Sequence, residues 1–368
     1  MKDAETRTWE TLKRAYEDRS PRPSRRRLRN TALLAGLAAA LAAAVLSPPG
    51  RAVFERVRQA VGVEHAAPAL FSLPASGRLL VVSAERGGVW LVDADGLKQR
   101  IGSYQDAQWS PHGLYVVATR TNELMAVSPD GGIRWSLARR DVRYPTWEGT
   151  RTDTRIAYIA DSGLRVVAGD GTGDHLVDRY AQSVPPAWDP ARLHVLAYFT
   201  GGSIVLRPAS GPIVWRAPVT VLPTSLDWSS DGRELAVVSA KRIVVLNSNG
   251  RVERTISMLG AEFLQAAFRP ASHRLAVAVR LNGHSEVKLV DVDHPGMSKL
   301  LFAGPGDFGD VAWSPDGRWL LVTWPTANQW VFLHGSHVQA VGNIREQFPR
   351  ADHLGPVLEL SGRWCCSS

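Results

Sequence analysis

The sequence predicts an all-β fold, a seven-bladed β-propeller of four-stranded antiparallel blades, and three observations predict it. A turn motif recurs along the chain at intervals of 36 to 45 residues. Each copy is followed by a run of apolar residues that is continuous and not alternating. A second apolar run and a more polar third run then precede the next copy. Four strands repeated at about 40 residues is the pattern of a propeller, in which each blade buries its faces on its neighbours and ring closure protects the edges.

The clearest copy of the turn is Trp313-Ser314-Pro315-Asp316-Gly317-Arg318. Pro presets φ, the Ser side chain bonds the local backbone, and Gly tolerates the exit conformation of a type I turn. One strand therefore ends at the Trp and another begins at the Arg. Related sites are Phe268-Arg269-Pro270, Trp228-Ser229-Ser230-Asp231-Gly232-Arg233, Trp188-Asp189-Pro190, Trp147-Glu148-Gly149 and Trp109-Ser110-Pro111-His112-Gly113. Leu73-Pro74-Ala75-Ser76-Gly77-Arg78 is a degenerate seventh. The anchors Trp109, Trp147, Trp188, Trp228, Phe268 and Trp313 are expected between blades, where their rings supply much of the burial. Continuous runs such as Leu193 to Phe199 mark strands buried on both faces.

The propeller is expected over residues 66–345, with blades at 66–105, 106–143, 144–183, 184–223, 224–263, 264–308 and 309–345. Six and eight blades stay admissible, because the first anchor is degenerate. Residues 346–368 form a C-terminal closing segment and tail that offers a further strand through Val357-Leu358-Glu359-Leu360.

Residues 1–30 read as a basic cytoplasmic tail. Trp9, Leu12 and Tyr16 make the narrow apolar stripe of a short amphipathic helix, a docking face for lipid headgroups or for a cytoplasmic protein partner. Residues 31–47 carry no charge and are read as a retained single-pass transmembrane helix. A cleaved signal peptide, suggested by Ala42-Ala43-Ala44, is the alternative. Arginines are denser before this segment than after it, which places the N-terminus in the cytoplasm and the propeller outside. Residues 48–65 form a stalk with a short helix after Pro48-Pro49-Gly50.

The formal charge of +8 is local, since +5 lies in residues 1–30 and only +3 in the rest. A polyanion-binding face on the propeller is not expected, and no nucleic acid partner is predicted. The only cysteines, Cys365 and Cys366, can build neither a metal site nor a disulfide framework. Incidental thiols, a vicinal disulfide and an intermolecular disulfide all stay open.

Little in the chain points to chemistry. No Gly-x-Ser-x-Gly elbow occurs. His334 and His337 read as a polar hairpin turn. The Asp-rich turns at Asp93, Asp170 and Asp291 resemble calcium-loop openings without the twelfth-position Glu, and are read as hairpins. Asp106 and Asp310, three residues before their anchors, are expected to face the central channel. No catalytic, metal or cofactor-binding residues are predicted.

Trp-Ser-Pro-Asp-Gly-Arg followed by a Leu/Val run, at Trp313 to Val322 and Trp109 to Val117, resembles the repeat of the TolB-like propellers, a WD-like bacterial family. Gly131 to Trp135 and Ser210 to Trp215 also resemble fragments of quinoprotein-type blades. The TolB-like resemblance implies a propeller with a habit of binding and not an activity. The expected function is a membrane-anchored, extracytoplasmic scaffold for a protein or ligand. A transmembrane signalling protein whose tail holds a factor such as a sigma factor is one alternative. A lactonase-like propeller enzyme with a metal at the channel mouth is another.

Overall fold

The computed structural model describes residues 72–83, 88–150, 152–294, 298–348 and 360–366. The tail stripe Trp9, Leu12 and Tyr16, the transmembrane and stalk segments, and Val357 to Glu359 lie outside the described residues. Among the described residues, no helix is long and apolar enough to cross a membrane.

Seven four-stranded antiparallel sheets are present, so the expectation of seven blades holds and the counts of six and eight fall. In blades 2 to 7 the chain runs from the innermost strand outward. The innermost strands are Asp106–Trp109, Arg143–Trp147, Ala187–Trp188, Ser225–Trp228, Ala261–Phe268 and Val311–Trp313. Blade 1 is built differently. Its second, third and fourth strands are Arg78–Ser83, Gly88–Val92 and Lys98–Ser103, while its innermost strand is Leu360–Cys365, from the far end of the sequence. That strand contacts both Val311–Trp313 of blade 7 and Asp106–Trp109 of blade 2, which closes the ring.

The degenerate first anchor at Leu73 is thereby corrected: the seventh anchor is Trp364. It lies opposite Leu79, as Trp313 lies opposite Leu320 and Trp228 opposite Leu235. The turn motif is split, with its Trp supplied by residue 364 and its Gly-Arg by Gly77 and Arg78. Gly77 has φ +107°, and a Cβ there would lie 2.5 Å from the Cys365 carbonyl oxygen. Only glycine fits both the conformation and the close approach. Leu73 packs instead in the apolar cluster between blades 7 and 1.

The motif turns have the geometry their residues require. Gly317 N–H donates to Ser314 O at 2.8 Å, and the Ser314 hydroxyl accepts from Trp319 N–H at 2.9 Å while donating to Asp316 Oδ1 at 2.5 Å. Ser229, Asp231, Gly232 and Glu234 repeat this pattern in blade 5.

The continuous apolar runs are explained by the seven apolar clusters that fill the seven seams between blades. Leu79 and Val81 face blade 7, whereas Leu80 and Val82 face blade 2. Successive residues of a strand point to opposite faces, and here both faces are core. Full burial of each such side chain stabilises by about 1.5–3 kcal/mol relative to exposure.

Five anchors are buried in these seams, but Trp313 and Trp364 are only half-buried. Three indoles stitch seams by one repeated bond. Trp188, Trp228 and Trp313 donate Nε1–H to the carbonyls of Thr146, Ala187 and Ala267, each the residue before the previous anchor. Phe268 has no such donor. A second set joins outer strands: Trp135 donates to Gly169 O at 3.0 Å and Trp215 to Ser248 O at 2.9 Å. Their rings cover Gly171 and Gly250, where a Cβ would come within 2.7 Å. These are the Trp residues of the quinoprotein-like fragments.

Candidate binding site at the channel mouth

In blades 2 to 6 the residues one and three positions before the anchor share a side of the inner strand, and that side faces the channel. A cavity of about 780 Å³ is lined there by Gln108, Thr146, Ala187, Asp227, Ala267 and Arg363, all one before their anchors. Asp106, Tyr144, Pro185, Ser225 and Gln265, three before theirs, complete the wall. The cavity extends between the turns that follow the anchors of blades 3, 4 and 5, where Glu148, Asp189, Leu193 and Ser230 border it.

Asp106 therefore lines the cavity, with its Oδ1 3.3 Å from Arg363 Nη2 across the closing seam. Asp310 accepts a hydrogen bond at 3.2 Å from the amide of Gln265, which lines the cavity. Arg363 is the residue that the sequence did not single out, because its blade was not recognisable from the C-terminal segment alone.

Asp227 is the most perturbed group of the wall. Burial pushes its carboxyl up to about 7, opposed by one hydrogen bond from Phe268 N–H at 2.7 Å. Gln108 has the same role in the seam between blades 2 and 3, accepting from Trp147 N–H. Each ties its strand to the next anchor. Burial also raises the Asp189 carboxyl against bonds from the Ala191 N–H and the charge of Arg192.

Two histidines bridge neighbouring blades on this face. His194 donates its backbone N–H to Glu148 Oε1 at 2.6 Å, its Nδ1 meets Glu148 Oε2 at 2.7 Å, and its Nε2 lies 3.1 Å from Asp153 Oδ2. His273 lies between Asp231 of blade 5 and Asp293 of blade 6. Their partners are scattered in sequence; alignment of the turns in adjacent blades is the signal that would have found them. His334 and His337 pair across a hairpin and flank the Trp319 ring, with centroids at 5.0 and 5.7 Å.

The segments at Asp93 and Asp170 are hairpin turns: Asp95 caps Leu97 N–H and Asp170 caps Thr172 N–H. Asp174 is more than a turn residue. Its buried carboxylate binds Arg139 and Arg165, each at 2.5 Å, and Tyr158 at 2.6 Å, fastening blade 2 to blade 3. Burial alone would raise its pKa, but the bonds from Arg165, Tyr158 and Arg139 hold it below the usual carboxylate value. Cys365 and Cys366 are joined as a vicinal disulfide, with their sulfurs against the Ser110 carbonyl of blade 2.

Apolar side chains are exposed around the same turns. Leu114 in blade 2 and Leu193 in blade 4 are 60% and 63% exposed. On the opposite face, Tyr180, Leu222 and Leu259 are exposed in the connections between blades.

No protein-family model matches the chain, and no curated protein matches it in sequence. Solved structures do. The chain is similar to the Neurospora crassa Pan2 WD40 domain, with TM-score 0.54 and 12% identity over 72% of this chain and 91% of that one. It is similar to the C-terminal WD40 domain of Sif2, with TM-score 0.53 and 13% identity over 71% of this chain and 79% of that one. Kuenenia stuttgartiensis hydrazine synthase gives TM-score 0.52 and 13% identity over 62% of this chain and 75% of that one. The fold is thus that of a WD40-like seven-bladed propeller. At such identities the likeness concerns the fold alone.

Proposed function

We propose that this protein is a binding scaffold of the TolB-like kind, which receives a segment of a protein partner at the channel mouth. The observation that carries the reading is the coincidence on one face of a cavity of about 780 Å³ and the exposed Leu193 at its border. Concave sites of roughly 300–1,000 Å³ with a few polar groups are where ligands and inserted side chains are held. An exposed apolar residue on a rigid turn is a ready anchor for a partner. The similarity in fold to the mitotic checkpoint complex, an assembly by its name, agrees with a scaffold role.

We further place the scaffold outside the cytoplasm, tethered by the uncharged segment 31–47, with the Trp9, Leu12 and Tyr16 stripe free to dock on the inner side. Support for this topology is the sequence: the span of uncharged residues and the excess of arginine before it.

A photocrosslinking residue at position 193 of the full-length protein in its own membranes tests the reading. It should trap a discrete partner, and a photocrosslinking residue at position 222 should not. Leu114→Asp in the position-193 protein should remove the crosslink while leaving the thermal midpoint within about a degree, because Leu114 is exposed. Capture from position 222 alone would move the interface to the opposite face and overturn the proposal.

A further inference from the structure

The seam between blades 5 and 6 brings three ligand-type side chains together outside the channel wall. Glu234 begins the second strand of blade 5, His273 lies in the first turn of blade 6, and Asp293 lies in its outer turn. One ligand atom from each can be chosen so that all three lie within 4.8 Å of one another. We propose that Glu234, His273 and Asp293 bind a divalent transition-metal ion of the zinc class, which cross-links blade 5 to blade 6.

Three features converge. The first is an orphaned acceptor: Glu234 has a side chain only 5% exposed, and its Oε2 accepts no hydrogen bond. A buried carboxylate oxygen without a donor is costly, and a cation is one of the few things that satisfies it. The second is tautomer control. Carboxylates stand at both ring nitrogens of His273, Asp231 Oδ2 3.0 Å from Nε2 and Asp293 Oδ2 3.2 Å from Nδ1, so an ion held at Nδ1 with Asp293 would leave Asp231 to hold the proton on Nε2. A carboxylate behind the far nitrogen of a ligating histidine is the usual outer support of such sites. Third, Nδ1 is 3.7 Å from Glu234 Oε2 and 3.2 Å from Asp293 Oδ2. Ligand atoms about 2.0–2.1 Å from a tetrahedral ion lie roughly 3.4 Å apart, so both separations fit. One imidazole and two carboxylates suit zinc among the available ions.

The seam between blades 3 and 4 supplies an internal comparison. There Glu148 and His194 occupy related turns, but both Glu148 oxygens already accept from His194. The pair is closed by its own hydrogen bonds. At Glu234, by contrast, Oε2 is left open.

The test uses the full-length protein in mild detergent, stripped with EDTA and titrated with Zn2+ by calorimetry in non-reducing buffer. One equivalent should bind to the wild type, and saturating Zn2+ should raise its thermal midpoint by several degrees, since a ligand of the folded state stabilises by mass action. His273→Ala and Asp293→Asn should each weaken binding at least tenfold and remove the thermal shift; His194→Ala should keep both. Asp293 is exposed, so its variant folds even where Glu234→Gln does not. Absence of zinc binding in folded wild type, or binding that survives His273→Ala and Asp293→Asn, would overturn the proposal and leave His273 as an ion-pair bridge.

Discussion

Trp364 lies directly opposite Leu79 in the first blade, so the aromatic anchor of the blade that opens the propeller is provided by its last strand. The pairing runs from Arg78 opposite Cys365 to Ser83 opposite Leu360. Trp364 also meets the Phe332 ring of blade 7 edge-on, at 5.8 Å between centroids.

Deleting residues 360–368 should therefore unseal the ring. Strand Arg78–Ser83 would be left as an exposed hydrophobic edge, a template for pairing with other chains. The expected outcome is a larger and more polydisperse species than wild type in light scattering and a thermal transition that broadens or vanishes. A deletion variant with the size and melt of wild type would show that blade 1 does not depend on the closing strand.

Trp228→Ala should cost about 3–5 kcal/mol in urea unfolding, the usual result of removing a large buried aromatic. Trp228→Phe should cost far less, about 0.5–1.5 kcal/mol, because the ring is kept and only the bond to Ala187 O is lost. Trp313→Ala should fall clearly below Trp228→Ala, since Trp313 is half-buried and stacks under Arg269 at 5.6 Å. Equal costs for the two Ala variants would contradict the difference in burial.

Asp227 predicts a pH dependence. Its folded pKa is raised by burial from 3.8 to about 7, so the folded state holds the proton more tightly than the unfolded chain. The stability it contributes is fully present below about pH 4 and is lost as pH rises through about 7. Asp227→Asn keeps a carbonyl for Phe268 N–H without the charge, and should lose less stability than wild type between pH 4 and 8. Parallel stability curves for the two proteins would rule this assignment out.

The repeat was readable because the turn is local: Ser, Pro, Asp and Gly within six residues dictate where strands stop and start. Blades 3, 4 and 6 blur the motif, yet their Trp or Phe is retained and marks the strand end. Blade 1 was not readable in the same way, since its Trp and its Gly-Arg lie at opposite ends of the chain. Nothing near Ser361-Gly362-Arg363-Trp364 announces the turn that completes it. In the channel, Asp106 was reached by counting back from an anchor, whereas Gln108, Asp227 and Arg363 needed the two-residue alternation to be carried one step further. Glu234, His273 and Asp293 belong to different turns, and only the stacking of blades brings them together.

The shared first blade also sets an order of events during synthesis. Blades 2 to 7 are each contiguous in sequence, so every one can pair its four strands soon after they leave the ribosome. Arg78–Ser83 emerges early but has to wait for residues 360–365 before its inner edge is paired. Throughout translation the nascent chain is thus an open arc with two sticky ends. A ribosome that stalls anywhere before Trp364 releases a product that cannot seal, and such truncated chains are the natural clients of holding chaperones and proteases.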